Sequence, residues 1–251
     1  MRAILLLLAV RSFHAGASPA QDFVVAMAQT EEPVVGLLRL PEIYGEYPCQ
    51  AFKPQRVPFY AAASGAQPPI GFIERVDKPD APQPDCEAPV VVARQSGSNA
   101  APQPLPFDES GYEFRTAVVY ERSGAWFRIA LAKGSAWIQR RDAGDFVAYP
   151  DALISDSFST YLRPGWSGEI RAEPARGATA ATPPAWQAFV DKEVPIRVLG
   201  TRVVDGKVWI RLRFESETCG QTLGELPTLE AWTPAHRSSG ATSIWFHSRG
   251  C

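Results

Sequence analysis

The chain has 251 residues, 45% of them hydrophobic and 11% aromatic, with a formal net charge of −2. That apolar content takes it out of the low-hydrophobicity, high-charge range in which chains stay disordered. The near-neutral charge argues against a nucleic-acid partner, which is normally met by a strongly basic patch.

Residues 1–20 read as an export signal: Arg2 supplies the positive start, Ala3 to Val10 an apolar run, and Ala15, Ala17 and Ala20 small residues for cleavage. The run is too short to span a bilayer, and no second run of that kind follows, so the mature protein is expected to be periplasmic or secreted with no membrane span. Loss of Arg2 and Arg11 moves the formal charge from −2 to −4. Residues 194–251 carry seven Lys/Arg against five Asp/Glu, net +2, which leaves net −6 for residues 21–193. The 23 Pro and 19 Gly interrupt long helices, so a mainly β chain with little helix is expected.

In chain order, Val34 to Leu40 and a Pro-rich stretch from Pro41 lead to strand-like runs at Pro58 to Ala62 and Ile70 to Val76. Residues 77–110 read as a long insertion, rich in Pro, Gln, Ser and Asp, that is either functional or tethered. Further strands are expected at Tyr112 to Arg122, Trp126 to Leu131 and Ala136 to Gln139. Turns are expected at Ser123-Gly124 and Lys133-Gly134. Phe146 to Trp166 fits a short helix or closing strands, and residues 166–193 read as a linker with a low-complexity stretch from Arg176 to Pro184. Val194 to Val204 and Val208 to Phe214 flank Asp205-Gly206, the strongest hairpin signal in the chain. Leu229 to Thr233 and Ser243 to His247 read as the last strands.

The two halves repeat a pattern. Trp126 to Leu131 and Trp209 to Phe214 both read Trp, apolar, Arg, apolar, any, apolar. Ala136-Trp137 and Ala231-Trp232 follow them, and Val57-Pro58 and Val194-Pro195 precede them. Period-two alternation puts Val208, Ile210, Leu212 and Phe214 on a buried face and Trp209, Arg211 and Arg213 on the outer one. The same parity buries Phe127, Ile129 and Leu131 and turns Trp126 and Arg128 outward.

Cys49, Cys86, Cys219 and Cys251 are an even count in an exported chain and imply disulfides. Of the three pairings, Cys49 with Cys86 and Cys219 with Cys251 is the economical one, each bridge staying within one half. The Cys and His spacing suits no metal site, and no cofactor motif appears.

The opening Val-Pro strand, the Gly-containing hairpin, the Trp-initiated strand and the closing Ala-Trp pair resemble the bacterial SH3-like domain, a small β barrel of exported proteins. Both copies carry Ala where that family prefers Gly. The resemblance implies two SH3-like barrels in tandem, residues 30–165 with the insertion and residues 194–251. It also implies a non-catalytic module that recognises peptidoglycan or a peptide or protein ligand in the envelope. The candidate ligand-binding residues are Trp126, Arg128, Trp209, Arg211 and Arg213, since an indole beside a guanidinium suits sugars and carboxylates. Trp137 and Trp232 are expected in the core, as large aromatics usually are.

Two other readings compete. The 77–110 insertion fits a scaffold or inhibitor that engages a protein partner. His247 to Cys251 resembles the Ser-His-Gly-Cys motif of L,D-transpeptidases in altered order, which would make Cys251 an acyl-transfer nucleophile.

Overall fold

The computed structural model describes residues 32–40, 56–76, 90–97, 99, 101–106, 108–109, 115–154, 160–174, 184–187, 190–215, 217–218, 221–222 and 228–246. The expected export signal at residues 1–20, the four cysteines, His247 and the low-complexity residues 176–183 lie outside them.

The described chain is mainly β. Its strands are β1 Gly36–Leu38, β2 Arg56–Phe59, β3 Gly71–Val76, β4 Val90–Gln95, β5 Gln103–Pro104, β6 Asp108–Glu109, β7 Arg115–Ser123, β8 Trp126–Ala130, β9 Ser135–Gln139 and β10 Phe146–Ala148. They continue as β11 Thr160–Leu162, β12 Val194–Val204, β13 Lys207–Phe214, β14 Glu217–Thr218, β15 Gln221–Thr222, β16 Glu230–Pro234 and β17 Ile244–Phe246. Among the described residues helix is confined to α1 Tyr149–Ile154, α2 Pro184–Gln187 and a 3-10 turn at Arg140–Asp142.

The two main sheets share one order. The first runs β10-β1-β7-β8-β9, with β6 beside β7, and the second runs β17-β11-β12-β13-β16. In each, three strands form a meander, β7-β8-β9 in the first and β12-β13-β16 in the second, where β14 and β15 intervene in the chain, and the last strand returns to pair with the first. The correspondence reaches single residues. Val119 faces Ile129 and Glu121 faces Arg128 across a bulge, as Val198 faces Leu212 and Gly200 faces Arg211 across another. Arg128 then pairs with Trp137 as Arg211 pairs with Trp232. Neither sheet closes on itself among the described residues.

Local chemistry explains the hairpins. Asp205 and Gly206 both hold positive φ, 51° and 73°, the sign pattern of the type I′ turn that matches strand twist. The Gly124-Ala125 turn has positive φ only at Gly124, as a type II′ turn requires.

A third sheet, β2-β3-β4-β5, covers one face of the first. Val57, Phe59, Ile73 and Ala93 from it, with Leu105 just after β5, meet Leu38, Val119, Phe127, Ile129 and Ile138 in one core. The insertion is therefore partly architectural. Val90–Gln95 pairs with β3 along its whole length, where a loop was expected.

The other face of the first sheet belongs to a second core. Leu37, Val118 and Tyr120 join Tyr149 and Leu153 of α1 and the inner residues of the second sheet, Leu162, Ile196, Ile210, Leu212 and Phe214. α1 packs on β12 on one side and on β1 and β10 on the other. The Tyr149 hydroxyl donates to the Ile244 carbonyl at 2.5 Å, and a His236 ring nitrogen lies 3.2 Å from the Val34 carbonyl.

Two boundaries and one equivalence differ from those read in the sequence. Residues 160–162 open the second sheet and do not end the first module. The described part of the 166–193 linker is core, because Trp166, Ile170 and Trp186 are buried against Phe214 and its neighbours. The two Val-Pro runs are not equivalent either. Val57 and Pro58 lie in the third sheet, whereas Val194 and Pro195 open β12, whose counterpart is β7. A shared dipeptide does not specify a hydrogen-bonding partner, and the partner decides position in a sheet.

Candidate functional site

Trp209, Arg211 and Arg213 project from β13, the middle strand of the second meander. Lateral neighbours in an antiparallel sheet share a face, so the register lays out three rows. These are Arg197, Arg213 and Glu230; Gly200, Arg211 and Trp232; and Arg202, Trp209 and Pro234. A bridge between Arg171 and Trp232 extends the middle row.

On this face cations and indoles interleave. The Arg171 guanidinium lies 5.4 Å from the Trp209 ring centroid, and that of Arg202 lies 5.2 Å from the Trp232 centroid. Such contacts contribute about 0.5–1 kcal/mol at exposed sites and more when desolvated. Glu230 accepts from Arg211 at 3.0 Å and from Arg213 at 2.8 and 3.2 Å. The Arg213 hydrogen bond is the main reason that the Glu230 carboxyl is held below the usual carboxylate range.

Beside these groups is an open recess of about 280 Å³ bordered by Glu173, Arg202, Arg211, Glu230 and Trp232. Its two cations differ in how fully they are engaged. Arg202 meets Glu173 only at 3.8 Å, too far for a hydrogen bond, and among the described residues it donates none. Among the described residues Arg211 gives one hydrogen bond, to Glu230, out of its five N–H donors.

The indoles change places relative to expectation. Trp209 is 4% exposed and lies under Arg171; Trp126 is 9% exposed and meets Tyr60 edge to face. Neither is an outward platform. Trp137 and Trp232, expected in the core, are half-buried on the outer faces. Alternation places a side chain on a face, but what covers the face comes from residues far away in sequence.

The first repeat presents the same layout already filled. Arg128 pairs with Glu32 at 2.7 Å and with Glu121 at 3.0 Å, and its side chain is 21% exposed against 52% for Arg211. Burial disfavours the Arg128 charge, yet the two carboxylates outweigh it and raise the pKa above its ordinary value.

Of the five candidates, Arg211 and Arg213 lie together on the exposed face, while Arg128 belongs to a satisfied cluster. Sequence reading missed Arg171, Arg202, Glu230 and Trp232 as members of the site. Arg202 was within reach, because a two-residue Asp205-Gly206 turn forces Arg202 opposite Trp209.

The chain matches no protein-family model, no curated protein and no solved structure. Among the described residues no helix is long and apolar enough to cross a membrane.

Proposed function

We propose that the protein is an exported, non-catalytic binding protein of the bacterial envelope, built from two SH3-like units that have fused into one body. It recognises peptidoglycan or a peptide ligand through the outer face of its second repeat. The resemblance of the two Trp-to-Ala-Trp patterns to bacterial SH3-like domains is the source of the family reading. The common order of the two main sheets, each with its three-strand meander and returning last strand, supports it. Disulfides Cys49–Cys86 and Cys219–Cys251 belong to the same proposal.

The observation that carries the binding role is the recess beside Arg202, Arg211 and Trp232. Two incompletely engaged guanidiniums and a half-buried indole on a rigid strand face suit a ligand with both flat and anionic parts. The test is co-sedimentation of the full chain with purified sacculi at increasing salt. The wild type should be retained, and Arg202→Gln with Arg211→Gln should weaken retention about tenfold or more, since charge-assisted hydrogen bonds are worth about 1.5–3 kcal/mol each. Wild-type chain that stays in solution with sacculi at low salt would overturn the proposal.

A further inference from the structure

In the first repeat the residue opposite Arg128 on the neighbouring strand is Glu121, whose carboxylate lies 3.0 Å from the guanidinium. In the second repeat the residue opposite Arg211 is Gly200. The flanking partners agree in both cases: an indole, Trp137 or Trp232, stands on the far side of the arginine, and a one-residue bulge precedes the Glu or Gly. One repeat thus carries a built-in carboxylate where the other has no side chain at all.

Resting on the binding role proposed above, we infer that the second repeat takes a carboxylate from its ligand, seated over Gly200 against Arg211 where Glu121 seats against Arg128. The first repeat is then an internal picture of the second in its occupied state.

Space and charge agree with this. A Cβ built at Gly200 meets nothing within 4 Å, so the place beside Arg211 is open. The nearby acids leave the incoming carboxylate its donors. Glu230 spends one oxygen on both Arg213 bonds and the other on a single Arg211 N–H, and Glu173 stays beyond hydrogen-bond distance from Arg202. Arg128 holds two carboxylates in the first repeat, whereas among the described residues Arg211 holds only Glu230, and that one is shared with Arg213. A ligand carboxylate brings Arg211 to the same count. The rest of the ligand lies along the recess beside the Arg202-covered Trp232 ring.

The experiment titrates the full chain with N-acetyl-Ala-Ala, with its C-terminal amide and with N-acetyl-Ala-Glu amide, following backbone amide signals of Gly200, Arg211 and Trp232 by NMR. At least one of the two acids should bind at least tenfold tighter than the neutral amide. Preference for the free terminus or for the Glu side chain identifies which carboxylate the ligand offers. Gly200→Glu should weaken acid binding more than tenfold by supplying an internal competitor. Arg211→Gln should weaken it as Gly200→Glu does. Equal binding of acids and amide, or wild-type acid binding by Gly200→Glu, overturns the inference. Sacculus retention that survives Gly200→Glu leaves the binding role standing and removes only the carboxylate seat. A wild-type chain that neither binds an acid nor stays with sacculi removes both.

Discussion

Tyr60 and Arg171 hold the same place in the two repeats: each bridges the closing indole strand, at Trp137 and Trp232 respectively, and each caps the preceding indole. Tyr60 meets Trp126 edge to face at 5.0 Å, and Arg171 lies 5.4 Å over Trp209. One repeat closes its face with a buried phenol and the other with a charged side chain that is itself paired to Glu169 at 2.7 Å. Tyr60→Ala should cost about 3 kcal/mol, in the range for truncating a buried aromatic. Arg171→Ala should cost less, about 1 kcal/mol, because a partly exposed cation–π contact is replaced by solvent. Urea unfolding of the two variants checks the ordering, and equal losses would contradict it.

Trp186 lies in a segment whose composition reads as a linker, yet it is 1% exposed and its ring centroid is 5.0 Å from that of Phe214. Trp186→Ala should destabilise the fold by about 3–5 kcal/mol, as for other buried large-to-Ala changes. A true linker position would lose a few tenths at most, so thermal unfolding separates the two.

Glu230 has its carboxyl held low chiefly by the Arg213 hydrogen bond. A depressed carboxyl stabilises the fold above its unfolded pKa, and that contribution disappears as pH falls through the folded value. Carboxyl-carbon NMR should place the Glu230 midpoint below that of ordinary exposed glutamates, and Arg213→Gln should shift it upward. An unmoved midpoint would mean that Arg213 is not the partner that matters in solution.

His236 is displaced in the opposite sense to a paired histidine: burial lowers its pKa from the ordinary 6.5, partly opposed by the hydrogen bond with Val34. Below about pH 6.5 the unfolded chain binds a proton that the folded chain resists, so stability falls as pH drops through that value toward the folded pKa. Above it the contribution is complete. His236→Gln, which keeps a donor for the Val34 carbonyl, should flatten this part of the stability-versus-pH curve. A variant curve parallel to wild type between pH 7 and 5 would assign the loss to other groups.

Strands were legible wherever local pattern and turn chemistry agreed. Val194 to Val204 appears with its bounds unchanged, and the Asp205-Gly206 turn fixes the pairings of that hairpin as far as the bulge before Gly200. Val90 to Ala93 also carries a β-branched signal, masked by the Pro and Ser around it. What remained hidden is three-dimensional. Nothing near Trp126 announces Tyr60, and nothing near Trp209 announces Arg171. The arginines were found, but their value as a site depends on Glu121 in one repeat and its absence at Gly200 in the other, and that comparison needs the register of both sheets.

Adjacent residues of β1 enter different interiors, Leu37 the core shared with the second repeat and Leu38 the core beneath the third sheet. The duplicated halves have therefore become a pseudo-dimer within one chain, each depending on apolar surface that the other supplies. Cut apart between α1 and β11, the first half would turn Leu37, Val118 and Tyr120 to water, and the second would lose the helix that seals β12. Neither half, separated there, would keep its apolar face covered, so the two repeats stand or unfold together.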